Sequence, residues 1–243
     1  MTADAQSGRE QRPDGTDPAL LANAIEELYS VFSRYPLEAR IEGCPCCVGE
    51  EDRARIHSQS LRALTDEDLE RYASKALTTW GDTEDFRHFL PRLLELLTGK
   101  PYETITPEVL LSKLAYADWS EWPARERMAI ESVLSLRWQV GLQLDREQFD
   151  ADAWLCGVAL AGIEISNYVD VWRTSAGRNT FAHTVAFLES NPDLVTHGTL
   201  RNAFYPGGEV EKAASDAMRE WLSACMDDAE FQARLAAWYQ EPA

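Results

Sequence analysis

The fold class follows from residues 17–36, DPALLANAIEELYSVFSRYP. The Asp17 side chain can cap the first turn of a helix, and Pro18 fits the first helical position because no N–H donor is needed there. Apolar residues then recur every three or four positions until Pro36 ends the pattern. This stretch therefore predicts an amphipathic helix.

Similar start and stop signals repeat along the rest of the chain. One helix is predicted from about residue 83 to 99, bent or restarted at Pro91, whose ring does not fit an unbroken helical ladder. The most apolar helix is predicted over residues 150–165, with a continuation to Trp172, and another over residues 192–204.

Strand signals are absent from the sequence, because no stretch alternates apolar and polar residues over several positions. About eight or nine helices joined by short turns are expected. The chain is therefore predicted to be all-α, either as a globular helical bundle or as a short HEAT-like stack of helix pairs.

The domain organisation follows from composition. Residues 1–17 have small, polar and turn-forming side chains without apolar periodicity, and a flexible N-terminal tail is expected there. Hydrophobic residues make up 45% of the chain, and no linker rich in Gly, Ser and Pro interrupts the interior. Residues 18–243 are therefore predicted to form a single all-helical domain.

The net charge of −18 restricts the classes of partner. Binding to nucleic acid or to anionic lipid needs clustered Lys and Arg, so neither nucleic acid nor membrane is an expected partner. The longest apolar run, residues 154–163, is far shorter than the ~20 residues of a membrane span. The same charge would steer a basic protein towards this chain.

The five cysteines point to a reducing compartment. Their number is odd, and three of them lie within four positions, where they cannot link distant segments as a disulfide framework would. No basic segment followed by an apolar stretch marks a signal peptide near the N-terminus. A cytoplasmic location is therefore expected.

The most unusual local feature is the cysteine turn, Gly43-Cys44-Pro45-Cys46-Cys47. Thiolates and imidazoles are the donors that Zn²⁺ prefers, and a closed structural site needs four of them. The candidate ligands are Cys44, Cys46, Cys47 and His57, with His88 as the substitute donor. Their spacing departs from the usual pairs of ligands separated by two to four residues.

Two other interpretations of this turn stay open. A Cys-x-Cys pair can exchange with disulfides, although the acidic residues 50–52 would raise the thiol pKa values and no thioredoxin-like strand pattern surrounds the pair. The cysteines can also be small, partly buried packing residues in a turn set by Gly43 and Pro45. The sequence does not separate structural zinc, redox chemistry and packing.

A second candidate cluster lies in residues 80–92 and consists of Trp80, Asp85, Arg87, His88 and Arg92. Asp85 and His88 are three positions apart and can share one helix face, as an acid and base or two metal ligands would. The alternative is that acidic residues stabilise the helix N-terminus while the aromatic residues pack inward.

Three segments together carry a resemblance. They are CPCC at residues 44–47, YASKALTTWG at 72–81 and DFRHFLPR at 85–92. The arrangement resembles a pattern in uncharacterised bacterial hypothetical proteins and covers about residues 40–97. The resemblance implies that the two clusters meet in space, and it implies no activity.

No GxSxG, P-loop or GxGxxG motif accompanies these clusters, so the case for an enzyme is weak. The chain is expected to be a helical protein–protein interaction protein, with another protein as its partner and a structural zinc at the cysteine turn. The alternative is an enzyme that uses the cluster at residues 80–92.

Overall fold

The computed structural model describes residues 17–99 and 104–240 of the 243-residue chain. The predicted tail lies outside the described residues except for Asp17. The α-helices in the described part are α1 (Pro18–Phe32), α2 (Glu50–Ile56), α3 (Asp66–Lys75), α4 (Thr83–Gly99), α5 (Pro107–Tyr116), α6 (Ala124–Gly141), α7 (Ala151–Leu160), α8 (Ser166–Thr174), α9 (Arg178–Ser190), α10 (Leu194–His197), α11 (Gly208–Asp227) and α12 (Ala229–Trp238). Two 3₁₀ helices, Leu61–Ala63 and Trp119–Glu121, lie between them, and the described residues contain no strand.

Side chains cap several helix starts, including the start at Asp17 that the sequence predicts. Asp17 accepts a hydrogen bond from the backbone N–H of Ala19 at 2.9 Å. Thr65 and Asp68 form a reciprocal capping box, in which the Thr65 N–H donates to Asp68 and the Asp68 N–H donates to Thr65. Asp150 caps α7 by accepting hydrogen bonds from the N–H groups of Asp152 and Ala153. These side chains satisfy N–H groups that have no partner within the helix.

The all-α class is confirmed, but the described residues contain twelve α-helices rather than eight or nine. The predicted helix at residues 150–172 is divided into α7 and α8 by Gly162, whose φ of 77° ends the first segment. The helix predicted at 192–204 shrinks to α10, because Gly198 leaves the helical conformation with a φ of 68°. The seven-residue α2 is too short to show a periodic pattern.

Pro91 does not end its helix, since α4 continues from Thr83 to Gly99 with the proline inside it. Phe89, Leu90 and Leu93 on either side of the proline are fully buried. Packing of this face holds the helix together where the proline removes one backbone donor.

The most extensive helix contacts join α5 to α7, and α1 to α6 and α4. Gly157 permits the close approach of α5 and α7, because a Cβ there would lie 2.8 Å from the carbonyl oxygen of Pro107. The pairing of α1 with α6 is not the nearest-neighbour stacking of a solenoid. The buried apolar residues from α1 to α11 instead form one contiguous core, as in a globular bundle.

No helix in the described ranges combines the length and the apolar character needed to cross a membrane.

Candidate metal centre

The three neighbouring cysteines lie on one tight turn between α1 and α2. The backbone N–H groups of Cys47 and Val48 both donate to the carbonyl oxygen of Cys44, each at 2.9 Å. Gly49 then caps α2, with its own N–H donating to Asp52 at 2.9 Å. The backbone thus projects three thiols from four consecutive residues.

This turn is fastened to the connection between α3 and α4. The Cys44 N–H donates to the Thr79 carbonyl at 2.8 Å, and the Gly81 N–H donates to the Glu42 carbonyl at 2.8 Å. Trp80 is 1% exposed, and a Cβ on Gly43 would lie 3.2 Å from its ring. The CPCC segment and the end of the YASKALTTWG segment therefore meet in space.

The side chain of Arg71 holds the turn from another side. Its Nη2 donates to the Cys47 carbonyl at 3.0 Å, and its Nε lies 2.8 Å from Asp52 of α2. The cysteine turn is thus braced by α2, α3 and the segment before α4.

The three sulfur atoms converge. Cys44 Sγ lies 2.9 Å from Cys46 Sγ, which in turn lies 3.6 Å from Cys47 Sγ. All three ligand atoms lie within 4.8 Å of one another, close enough to hold a metal ion. Cys46 is exposed, whereas Cys44 and Cys47 are half-buried, so an ion can reach the cluster from solvent.

Contact between the thiols changes their acidity. The hydrogen bond from Cys46 lowers the pKa of Cys44, and the same contact raises the pKa of Cys46 to about 11. The adjacent acidic residues were expected to raise the thiol pKa values, but at Cys44 hydrogen bonding to the neighbouring thiol outweighs any such effect. The Cys44 thiol therefore loses its proton at lower pH than the Cys46 thiol does.

The two candidate histidines do not join the thiol group. Both ring nitrogens of His57 contact backbone carbonyl oxygens, Nδ1 that of Arg53 at 2.8 Å and Nε2 that of Glu38 at 3.0 Å. His88 Nδ1 donates to the carbonyl oxygen of Tyr35 at 2.8 Å. These contacts anchor loops around α2 and α4 and leave the cysteines as the only predicted ligands brought together.

The second predicted cluster does not form one site, although Arg87 and His88 both contact Tyr35. Trp80 lies in the core, and Asp85 accepts a hydrogen bond from the Asp82 N–H at 3.0 Å within the first turn of α4. Burial raises the pKa of Asp85. Arg92 donates to the Leu64 carbonyl at 2.8 Å. Asp85 and His88, which the sequence allows to share one helix face, therefore do not share a hydrogen-bonded site.

Arg87 belongs to an ionic group around the buried Glu126 carboxylate that the sequence does not reveal. Glu126 is 1% exposed and accepts from Arg34 and from the Tyr35 hydroxyl. Arg87 Nε lies 3.8 Å from the other Glu126 oxygen, and its guanidinium stacks over Trp122 at 4.2 Å. The group joins the end of α1 to α4 and α6, and its members are up to 92 positions apart.

A second acidic site lies at the start of α7, where a cavity of about 120 Å³ is lined by Asp150, Asp152 and His183, among others. His183 Nε2 donates to the Leu144 carbonyl at 3.0 Å, and burial lowers the His183 pKa. Asp152 accepts from the Asn191 amide at 3.1 Å, and burial raises its pKa to about 6. The cap pattern of Asp150 predicts the helix start, but it does not predict the burial that shifts the pKa values of Asp152 and His183.

Comparisons with protein families, with curated proteins and with solved structures find no match to this chain.

Proposed function

We propose that this protein binds one zinc ion through Cys44, Cys46 and Cys47 and acts as a metal-carrying interaction protein. The observation that supports the proposal is the convergence of three thiols on one braced turn. Zinc–sulfur bonds of about 2.3 Å at tetrahedral angles place sulfur atoms about 3.8 Å apart. Small side-chain rotations would therefore bring sulfur atoms that are now 2.9 Å and 3.6 Å apart into this geometry.

The ligand set supports a site with one open coordination position. Zinc takes four ligands in a closed structural site, whereas the described residues gather three thiols here. His57 is engaged on both ring nitrogens by backbone carbonyls. A water molecule or a donor atom from a partner protein would complete the coordination at the exposed side of Cys46.

The alternative, an enzyme built on residues 80–92, needs Asp85, Arg87 and His88 to face one reacting group. In the structure Asp85 caps its own helix, Arg87 contacts Glu126, and His88 contacts the Tyr35 carbonyl. The arrangement supports an interaction protein better than it supports catalysis.

Metal analysis of protein purified without chelator tests the proposal, with about one zinc per chain as the expected result. Replacing zinc by Co²⁺ should give thiolate-to-metal charge-transfer absorption. Cys44→Ser, Cys46→Ser and Cys47→Ser should each lower the metal content. Cys225→Ser, which alters a half-buried thiol outside the cluster, is the matched control and should retain the metal.

His57→Gln separates this proposal from the four-ligand site expected from the sequence. The variant should keep its metal while losing stability, because the carbonyl contacts of His57 are lost. Metal removal should loosen residues 43–57 and leave the helical core folded. Absence of stoichiometric metal, or unchanged metal in all three cysteine variants, would refute the proposal.

A further inference from the structure

A groove runs along the face of α11 next to its buried stripe. Only Ala214, Ser215, Met218 and Leu222 of this 20-residue helix are buried. A depression of about 360 Å³ lies between the start of α11 and the segment that joins α7 to α8. A second one, of about 270 Å³, lies between later turns of α11 and α8. Ser166 lines both depressions, which follow one another along α11 and are together called the α8–α11 groove.

The floor of the α8–α11 groove is apolar and is formed mostly by small side chains. Along α11 it is formed by Val210, Ala213, Ala217, Trp221 and Ala224, which recur at spacings of three and four and therefore lie on one helix face. Three of the five are alanines, whose small side chains permit close approach of another backbone. The stripe spans about 21 Å at 1.5 Å per residue, which is the length of a four-turn helix.

The opposite wall of the groove supplies apolar contacts as well. Ile163 and Ile165 face the first depression, and Val169 faces the second. An amphipathic helix could thus place an apolar stripe between the two walls, which is a known mode of helix-in-groove recognition.

The rim of the groove is acidic. Glu164, Asp170, Glu209 and Glu220 all line it and all are exposed. The basic residue among the lining side chains, Arg173, is paired with Asp170 at 2.9 Å, so the excess negative charge of the rim comes from Glu164, Glu209 and Glu220. Acidic groups on both walls complement Lys and Arg side chains that flank an apolar stripe, and they disfavour a second copy of this chain, whose net charge is −18.

We infer that the α8–α11 groove binds a basic amphipathic helix of another protein. The apolar face of that helix lies on the apolar floor of the groove, and its flanking Lys or Arg residues face Glu209 and Glu220 on one side and Glu164 on the other. This surface is separate from the cysteine turn, so its function does not depend on bound metal.

The test uses fluorescence anisotropy with a fluorescein-labelled peptide of about 18 Leu and Lys residues, arranged to give an apolar helix face. The comparison peptides are a scrambled one of equal composition and an amphipathic Leu/Glu peptide. The intact protein should bind the amphipathic Lys peptide at least about tenfold more tightly than the scrambled one. It should not bind the Leu/Glu peptide.

Ala213→Trp and Ala224→Trp each place a large ring on an exposed position at one half of the groove. Each should weaken binding by about tenfold or more without loss of helical circular dichroism. Glu209→Gln with Glu220→Gln should weaken binding and reduce its salt dependence. Ala233→Trp on α12 and the pair Glu67→Gln and Glu70→Gln on α3 are the matched controls and should bind as the wild type does.

Equal affinity for the scrambled peptide, or equal losses in groove and control variants, would show nonspecific attraction by an acidic protein and overturn the inference. Sedimentation that shows a dimer broken by Ala213→Trp would assign the groove to a second copy and would also overturn it.

Discussion

Asp152→Asn tests whether a half-buried carboxylate, one of whose oxygens is fully buried, limits the stability of the folded chain. Asp152 lies in the first turn of α7, where one carboxylate oxygen accepts from the Asn191 amide and the other has no hydrogen-bond partner among the described residues. Burial, with smaller contributions from Asp150 and Glu108, raises its pKa from 3.8 to about 6. An amide has nearly the same shape as the protonated acid and keeps an acceptor for Asn191.

The sign of the effect follows from the raised pKa. A group that binds its proton more tightly in the folded state contributes most stability below its unfolded pKa, and that contribution is lost as pH rises through the folded pKa. The shift from 3.8 to about 6 corresponds to about 3 kcal/mol at pH 8. About half of this penalty is present at pH 5, so the change between pH 5 and pH 8 is about 1.5 kcal/mol.

Urea unfolding of the wild type and of Asp152→Asn, followed by circular dichroism between pH 5 and pH 8, measures the difference in free energy of unfolding. The difference should grow in favour of the variant by about 1.5 kcal/mol over this range and then level off. Glu67→Gln, the same isosteric change at an exposed carboxylate, controls for the lower net charge. A difference that is independent of pH, or one that matches the control, would refute the assignment of a raised pKa to Asp152.

Substitutions at Gly141 and Glu126 test the contacts between helices, each with a matched comparison variant. Gly141→Ala should lower the free energy of unfolding by about 1–3 kcal/mol, because its Cβ would lie 2.4 Å from the Phe149 ring. Gly99→Ala, with open space around its Cβ, should be neutral or stabilising. Denaturant midpoints of the two variants and the wild type measure the difference. Glu126→Ala should lower the free energy of unfolding, measured in urea, by about 3 kcal/mol, because it leaves the partly buried Arg87 without its carboxylate partner. Glu126→Gln should lower it by less. Equal losses in both variants would contradict the ionic explanation.

The helix starts could be predicted because capping is local. Asp17 and Asp150 each reach N–H groups two or three residues onward, and Thr65 pairs with Asp68 at the same distance. Helix ends were harder to place, because Gly162 and Gly198 end helices through backbone conformations that no periodic pattern reveals. The pairing of α1 with α6 depends on contacts between residues about a hundred positions apart.

The candidate metal centre was predictable to the extent that its ligands are adjacent in sequence. Cys44, Cys46 and Cys47 lie on one turn, so their convergence needs no distant contact. His57 is 13 to 10 positions away from them, and its ring orientation is set by the Glu38 carbonyl, 19 positions away. The spacing of residues along the chain does not predict that contact. His57 therefore fits the pattern of a metal ligand in the sequence, whereas in the structure it anchors a loop.

The buried carboxylates show why acidic residues in this chain are difficult to interpret from sequence. Asp85, Glu108 and Glu126 are each less than 9% exposed, and together with Asp152 they lie in the first turns of α4, α5, α6 and α7. Free N–H groups and the helix dipole favour negative charge at this position, which reduces the penalty for burying it. An exposed acid in a first turn has the same sequence pattern, so the pattern predicts the helix start and not the burial. This favourable effect does not fully offset the penalty at Asp85 and Asp152, where burial raises the pKa. These two residues therefore make the stability of the protein depend on pH. The sequence shows only an excess of acidic groups and does not single them out.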